Sequence, residues 1–256
     1  EKIIALQTLH AEMRACRLCL EAGYPITPTP IFRGGPEARA MLIGQAPGIT
    51  EPVAGRPFNA GSGRRLFKWL AEAGWDEEEF RERVYMTAVN KCYPGPNVGG
   101  KGDRVPSRAE QALCRPFLER EIRLINPRLM ILVGGLAIKL LYPTGARLDE
   151  IVGTAAYFPP EALAADPLNF DLSQAETITT LEDLQSHLTQ GREDAKGTFG
   201  SFFASSRPCD DPPQGRFVVP LPHPSGASLW PNRPENQALI SRAMALLRHI
   251  RCNDLF

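Results

Sequence analysis

No stretch of this chain is apolar for long enough to form a membrane-spanning helix. No block of 20–50 residues recurs, which excludes a solenoid or propeller. The opening EKIIALQTLHAEMRAC is amphipathic and carries acids, so it does not read as a signal or transit peptide, and the expected location is the cytoplasm. Net charge is also missing: 29 Lys and Arg balance 29 Asp and Glu. A uniformly basic nucleic-acid binder is excluded. The charge is unevenly spread, however. Residues 144–215 hold 4 basic against 12 acidic side chains, and the remainder holds 25 against 17. A basic body with an acidic appendage can present one face to a phosphate backbone; a mixed solvated surface would look the same by charge alone. What remains is a soluble chain of 256 residues, 43% hydrophobic, read as one domain with an insertion at 144–215 and as a monomer.

The stretch RAMLIGQAPGITEPVAGRPFNAGSG organises the rest. Ala40–Gly44 is a short apolar run without helical spacing, as a strand buried on both faces of a parallel sheet reads. It gives way to Gln45-Ala46-Pro47-Gly48 at the strand's carboxyl end, where open α/β sheets bind ligands. Gly55-Arg56-Pro57-Phe58 places an aromatic in a rigid loop, and Gly61-Ser62-Gly63 opens a helix whose free N–H groups suit a phosphate. The pattern predicts further strands at Val84–Val89, Leu129–Val133 and Phe217–Leu221, and helices at Ile3–Ala15, Gly63–Ala73, from Ser107 to about Ile125, and Arg233–Arg251. Ser107-Arg108-Ala109-Glu110 is a capping box. Four strands alternating with helices predict a three-layer α/β/α fold around a four-stranded, mainly parallel sheet. Gln45, Asn90, Gly134 and His223 each fall where a strand yields to a loop, so one crevice can collect them.

Six cysteines occur. Cys16-x-x-Cys19 lets two thiolates from one turn bind one metal centre, and Cys92 and Cys114 flank a Gly/Pro-rich loop and can complete a four-thiolate set. Such a set suits zinc or an iron–sulfur cluster; a CxxC turn with two unrelated buried thiols is the bland alternative. Cys209 and Cys252 lie outside this set.

Together these motifs resemble the uracil-DNA glycosylase superfamily, and most closely its iron–sulfur type, family 4. The resemblance rests on Gly44-Gln45-Ala46-Pro47-Gly48 with Gly55-Arg56-Pro57-Phe58, on Asn90-Lys91-Cys92, on His223-Pro224-Ser225 and on the cysteine pattern. It spans nearly the whole chain apart from 144–215. It implies an enzyme that flips uracil out of single- or double-stranded DNA and hydrolyses its N-glycosidic bond, leaving an abasic site. It also implies a [4Fe–4S] cluster on Cys16, Cys19, Cys92 and Cys114, in a structural role.

The same resemblance assigns roles within the site. Phe58 stacks on the flipped ring. Asn90 matches uracil's N3–H and O4 with one amide. His223, as a neutral imidazole, donates to O2 of the leaving base. Gln45 to Gly48 and Ser225 complete the substrate pocket. Arg56, Ser62, Arg64, Arg65, Lys91, Ser225 and Gly226 meet phosphates, with Lys68, Lys101 and Arg104 nearby, and Leu229 or Trp230 wedges into the gap in the stack. Two departures stand out. Gln45 replaces the usual Glu, and Ala46 the Asp of the best-known members, so the water falls to Gln45 or to Glu51, the nearest carboxylate. Gly48 stands where those members use Tyr to exclude thymine. Two alternatives remain: a glycosylase of other base range, such as hypoxanthine or mismatched thymine, or a nucleic-acid-binding iron–sulfur protein with weak catalysis. Residues 99–104 contain no His, so no covalent trapping of DNA is expected.

Overall fold

The computed structural model describes residues 1–99, 102–188, 215–226 and 228–255. Six strands form one sheet: Ala40–Gly44 (β1), Val84–Ala88 (β2), Leu129–Val133 (β3), Ala155–Phe158 (β4), Glu176–Ile178 (β5) and Arg216–Leu221 (β6). Their order is β2-β1-β3-β6-β4-β5. The first three and β6 are buried at every position and pair in parallel. That burial is why they read as continuous apolar runs rather than alternating ones. The helix Lys2–Ala15 packs on Arg108–Ile125, and Pro234–Ile250 packs on Gly61–Glu72. Helices thus cover both sides of the sheet, giving the expected three layers.

The strand count differs from expectation. The two extra strands come from the acidic insertion and run antiparallel, β4 on β6 and β5 on β4. With four and three residues they are too short to show a period. They are joined to the body by Arg216, 1% exposed, whose guanidinium donates to the carbonyls of Pro127 and Pro167 and to Asn126 Oδ1. Leu163, Ile178, Leu184 and Leu188 of the insertion enter the common core. Cys209 lies outside the described residues. Among those described, no helix is long and apolar enough to cross a membrane.

Parallel pairing sends the carboxyl ends of β1, β2, β3 and β6 to one edge. Gly44 is level with Ala88, and Val133 with Leu221. The loops leaving those ends build the site.

Candidate functional site

Phe58 is held in place by its backbone. Its φ of 52° lies in the left-handed region, unusual for an aromatic. Arg81, 2% exposed, donates to the carbonyls of Pro57 (2.8 Å) and Phe58 (2.9 Å), and the Phe58 N–H donates to Glu51 Oε1 (2.7 Å). Two glycines make the room. A Cβ on Gly44 would sit 3.1 Å from the Phe58 ring, and one on Gly63 would sit 1.9 Å from the Phe58 carbonyl oxygen. The ring therefore lies over the end of β1 with little freedom. Arg81 was not among the sequence-predicted residues. It is one of six charged side chains in EEEFRER, and the sequence carries no sign that it turns inward.

His223 enters the same cavity from the end of β6. Gly134 has φ 87°, and a Cβ there would meet the imidazole at 2.9 Å, so the ring rests on bare backbone after β3. The Ser225 N–H donates to His223 Nδ1 at 3.2 Å. In the neutral ring this leaves the proton on Nε2, which is then the free donor. Burial lowers the His223 pKa below the usual imidazole range, opposed by the charge of Asp103. The neutral form is the resting one at pH 7.

Gln45, Ala46, Pro47, Gly48, Glu51, Phe58, Ser62, Thr87, Ala88, Asp103 and His223 line one cavity, closed by Ile31, Gly44 and Pro57. Glu51 faces it, but both carboxylate oxygens hold backbone amides: Oε2 accepts from Gly48 (3.0 Å) and Oε1 from Phe58. Burial pushes its pKa up, those amides pull it down, and Asp103 adds a small upward push. Glu51 thus ties the Gln45–Gly48 turn to the Phe58 loop. Asp103 is a lining residue that is not among the sequence-predicted ones.

Three of the expected residues lie elsewhere than in the pocket or on the surface around it. Asn90 does not line this cavity. Its Nδ2 donates to the Glu110 carbonyl at 3.1 Å, its Oδ1 is buried without a hydrogen-bond partner, and the residue borders a second cavity instead. β2 ends at Ala88, and it is Ala88 that reaches the Phe58 pocket; beyond it the chain turns over. Nor is Lys91 a surface cation. It is 2% exposed, and its ammonium lies 2.6 Å from Glu121 Oε2, 2.8 Å from Thr87 Oγ1 and 2.6 Å from the Ala88 carbonyl. Glu121 also accepts from Tyr85 and Thr87, and Tyr85 meets His10. Arg104 likewise turns inward, pairing with Glu110 and Pro94.

The second cavity is mainly apolar and gathers all four expected cysteines, Cys16, Cys19, Cys92 and Cys114, with Met13, Leu18, Ile26, Leu113 and Phe117. Burial and the other thiols push Cys19 up to about 11 and Cys92 up to about 12. Burial also raises Cys114, against the pull of the Lys91 ammonium, and the Lys91 N–H meets its sulfur at 3.3 Å. Among the described residues no group of three or more His, Cys, Asp or Glu closes on a point as a single ion requires. Four thiols lining one mainly apolar cavity are a donor set of the kind that holds a thiolate-bound cluster.

In the Phe58 loop and the helix after it, Arg56, Arg64 and Lys68 are exposed and Arg65 is half-buried, its guanidinium donating to the Ser225 carbonyl at 3.4 Å. Ser62 lies in the first turn of Gly61–Glu72, which has no side-chain cap and so leaves its N–H groups open. Gly226 is exposed, and Leu229 is 72% exposed while Trp230 packs on the core. Of the two wedge candidates, Leu229 is the more exposed. Lys101 lies outside the described residues.

A family model described as the Uracil DNA glycosylase superfamily matches residues 32–248. Curated relatives include the type-4 uracil-DNA glycosylase of Pyrobaculum aerophilum, 34% identical over 58% of this chain and 70% of its own length. The type-4 enzyme of Thermotoga maritima is 36% identical over 42% of this chain and 51% of its own. A type-5 uracil-DNA glycosylase of Thermus thermophilus is 33% identical over 46% and 55%. The chain thus spans roughly half to 70% of the length of these relatives.

Proposed function

Because the chain belongs to the uracil DNA glycosylase superfamily, we propose that it is a DNA-repair glycosylase that extrudes a uracil nucleotide and hydrolyses its N-glycosidic bond. The observation that carries this reading is the pairing of a backbone-locked Phe58 ring with a neutral His223 donor in one cavity. A flipped base enters between loops and stacks on Phe58, a contact worth about 1–3 kcal/mol. As the C1′–N1 bond lengthens, negative charge moves into the ring, and the His223 Nε2–H donates to its O2. The donor is neutral and already oriented, so little reorganisation accompanies the step. The Gln45 amide, which lines the pocket, offers one donor and one acceptor to the base edge, in place of Asn90, which lines the other cavity. Arg56, Arg64, Arg65 and the open turn at Ser62 receive the backbone, and Leu229 fills the vacated stack.

The four cysteines would hold a [4Fe–4S] cluster, which would tie the N-terminal segment to the loop after β2 and to the helix Arg108–Ile125. No step of base removal runs through it.

The shift of Asn90 out of the pocket favours a second reading, in which the base range extends beyond uracil. Oligonucleotides carrying uracil, hypoxanthine or a mismatched thymine separate the two. Excision confined to uracil supports the first reading, cleavage of hypoxanthine the second, and inertness toward all three rejects both.

A further inference from the structure

The attacking water has no obvious keeper. Gln45 is an amide and a poor base, Ala46 offers nothing, and both oxygens of Glu51 hold backbone amides. Of the titratable groups lining the cavity, namely Glu51, Asp103 and His223, one carboxylate holds no backbone amide. We propose that Asp103 is the catalytic carboxylate of this enzyme. It positions the water and faces the cation that develops on the sugar. This rests on the glycosylase reading above.

Geometry supports the assignment. A Cβ built on Gly48 would lie 3.2 Å from Asp103 Oδ2, so Asp103 leans into the space that a side chain at position 48 would fill. It thereby reaches the turn at the end of β1 from a different loop. Its charge is felt at both His223 and Glu51.

The loop is also built to hold it. Asp103 bridges Pro96, the Asn97 N–H donates to the Gly102 carbonyl (2.9 Å), and the Arg104 N–H donates to the Gly95 carbonyl (2.9 Å). The next side chain, Arg104, is anchored to Pro94 and bidentate to Glu110 at 2.6 and 2.7 Å. Glu110 is 1% exposed and caps its own helix through the Ser107 N–H. The chain is thus fixed one residue away from Asp103.

The balance is simple. The C1′–N1 bond breaks and its electron pair leaves on the base, held by His223. Water oxygen bonds to C1′, and the water's surplus proton passes to the Asp103 carboxylate and then to solvent. No oxidant or further reactant takes part.

The test is single-turnover excision from a uracil-containing single-stranded oligonucleotide, with affinity measured on the same sequence carrying a tetrahydrofuran abasic analogue. Asp103→Asn is expected to slow excision by about 100-fold or more, the scale of a lost general base, with affinity for the analogue maintained. Asp103→Glu, which restores a carboxylate, is expected to recover part of the rate. An unchanged rate in Asp103→Asn overturns the proposal, and so does an equal loss of rate and affinity. A wild-type chain inert toward every base tested overturns the glycosylase reading and this inference with it.

Discussion

Two cavities divide between them five of the six residues that follow the middle of β2. Thr87 and Ala88 face the base pocket, whereas Asn90, Lys91 and Cys92 border the cysteine cavity. The first cavity has a mixed polar and apolar lining, and its two main groups are held by hydrogen bonds: Phe58 through its own backbone by Arg81 and Glu51, and His223 through its imidazole by the Ser225 N–H. The second is apolar, and a buried ion pair lies beside it. The comparison shows how fast a chain can change allegiance at a strand end. Two residues carry an amide from the site of base contact to the wall of a different chamber.

The largest expected effect tests the support beneath the cysteine cavity. Lys91→Met leaves Glu121 buried and unpaired among Tyr85 and Thr87. We expect a loss of about 3–5 kcal/mol in unfolding free energy, read by denaturant titration. The slope of DNA affinity against salt stays as in the wild type, because no phosphate contact is removed. A flattened slope with intact stability would restore Lys91 to the DNA face.

On the side of the base pocket, His223→Ala removes the donor to the leaving base. Excision is expected to fall by about 10²–10³-fold, with DNA affinity little altered. Equal loss of both would make His223 a docking residue. The pH profile sharpens the same point. Burial depresses the His223 pKa, so the neutral imidazole persists below its ordinary value of 6.5 and the acid limb of the excision rate lies below that pH. The Asp103 charge acts in the opposite direction, so Asp103→Asn moves the limb lower still. An acid limb above 6.5 contradicts this electrostatic account.

These contrasts also explain what the sequence could tell. β1, β2, β3 and β6 were readable because a doubly covered strand must be apolar throughout, and the Ser107–Glu110 box announced its helix. Their ends then located Phe58 and His223, since Gly, Pro and a strand terminus are local signals. β4 and β5 were not readable, for three or four residues carry no period and their pairing depends on β6. Lys91 beside Cys92 reads as a surface cation. Only the distant Glu121 makes its burial tolerable, and no local pattern announces such a partner. Asp103 was hidden for a related reason: Arg104 and Glu110, not the Gly-rich loop itself, bring it to the pocket.

Glu51 offers a middle-sized test of how far the base pocket depends on its locks. Glu51→Gln keeps the shape but turns one acceptor into a donor facing a backbone N–H of Gly48 or Phe58. A buried mismatch of this kind costs about 1–3 kcal/mol. Excision is expected to fall chiefly through weaker substrate binding, because the Phe58 platform loosens. A pure loss in the chemical step, with binding intact, would return Glu51 to the role of holding water.

The smallest expected effect concerns Asn90, and it bears most directly on the division between the cavities. Its amide donates to the Glu110 carbonyl and its oxygen meets neither solvent nor the base pocket. In Asn90→Asp, the new carboxylate faces that carbonyl without a donor, so stability falls by about 1–3 kcal/mol. Base preference among uracil, hypoxanthine and mismatched thymine is expected to stay unchanged. The equivalent change in the Phe58 pocket, Gln45→Glu, replaces an amide that faces the base and is expected to alter that preference. A shift of base choice in Asn90→Asp, with none in Gln45→Glu, would mean that the strand-end amide swings into the base pocket when DNA is bound. The turn after Ala88 would then be a moving part rather than a partition.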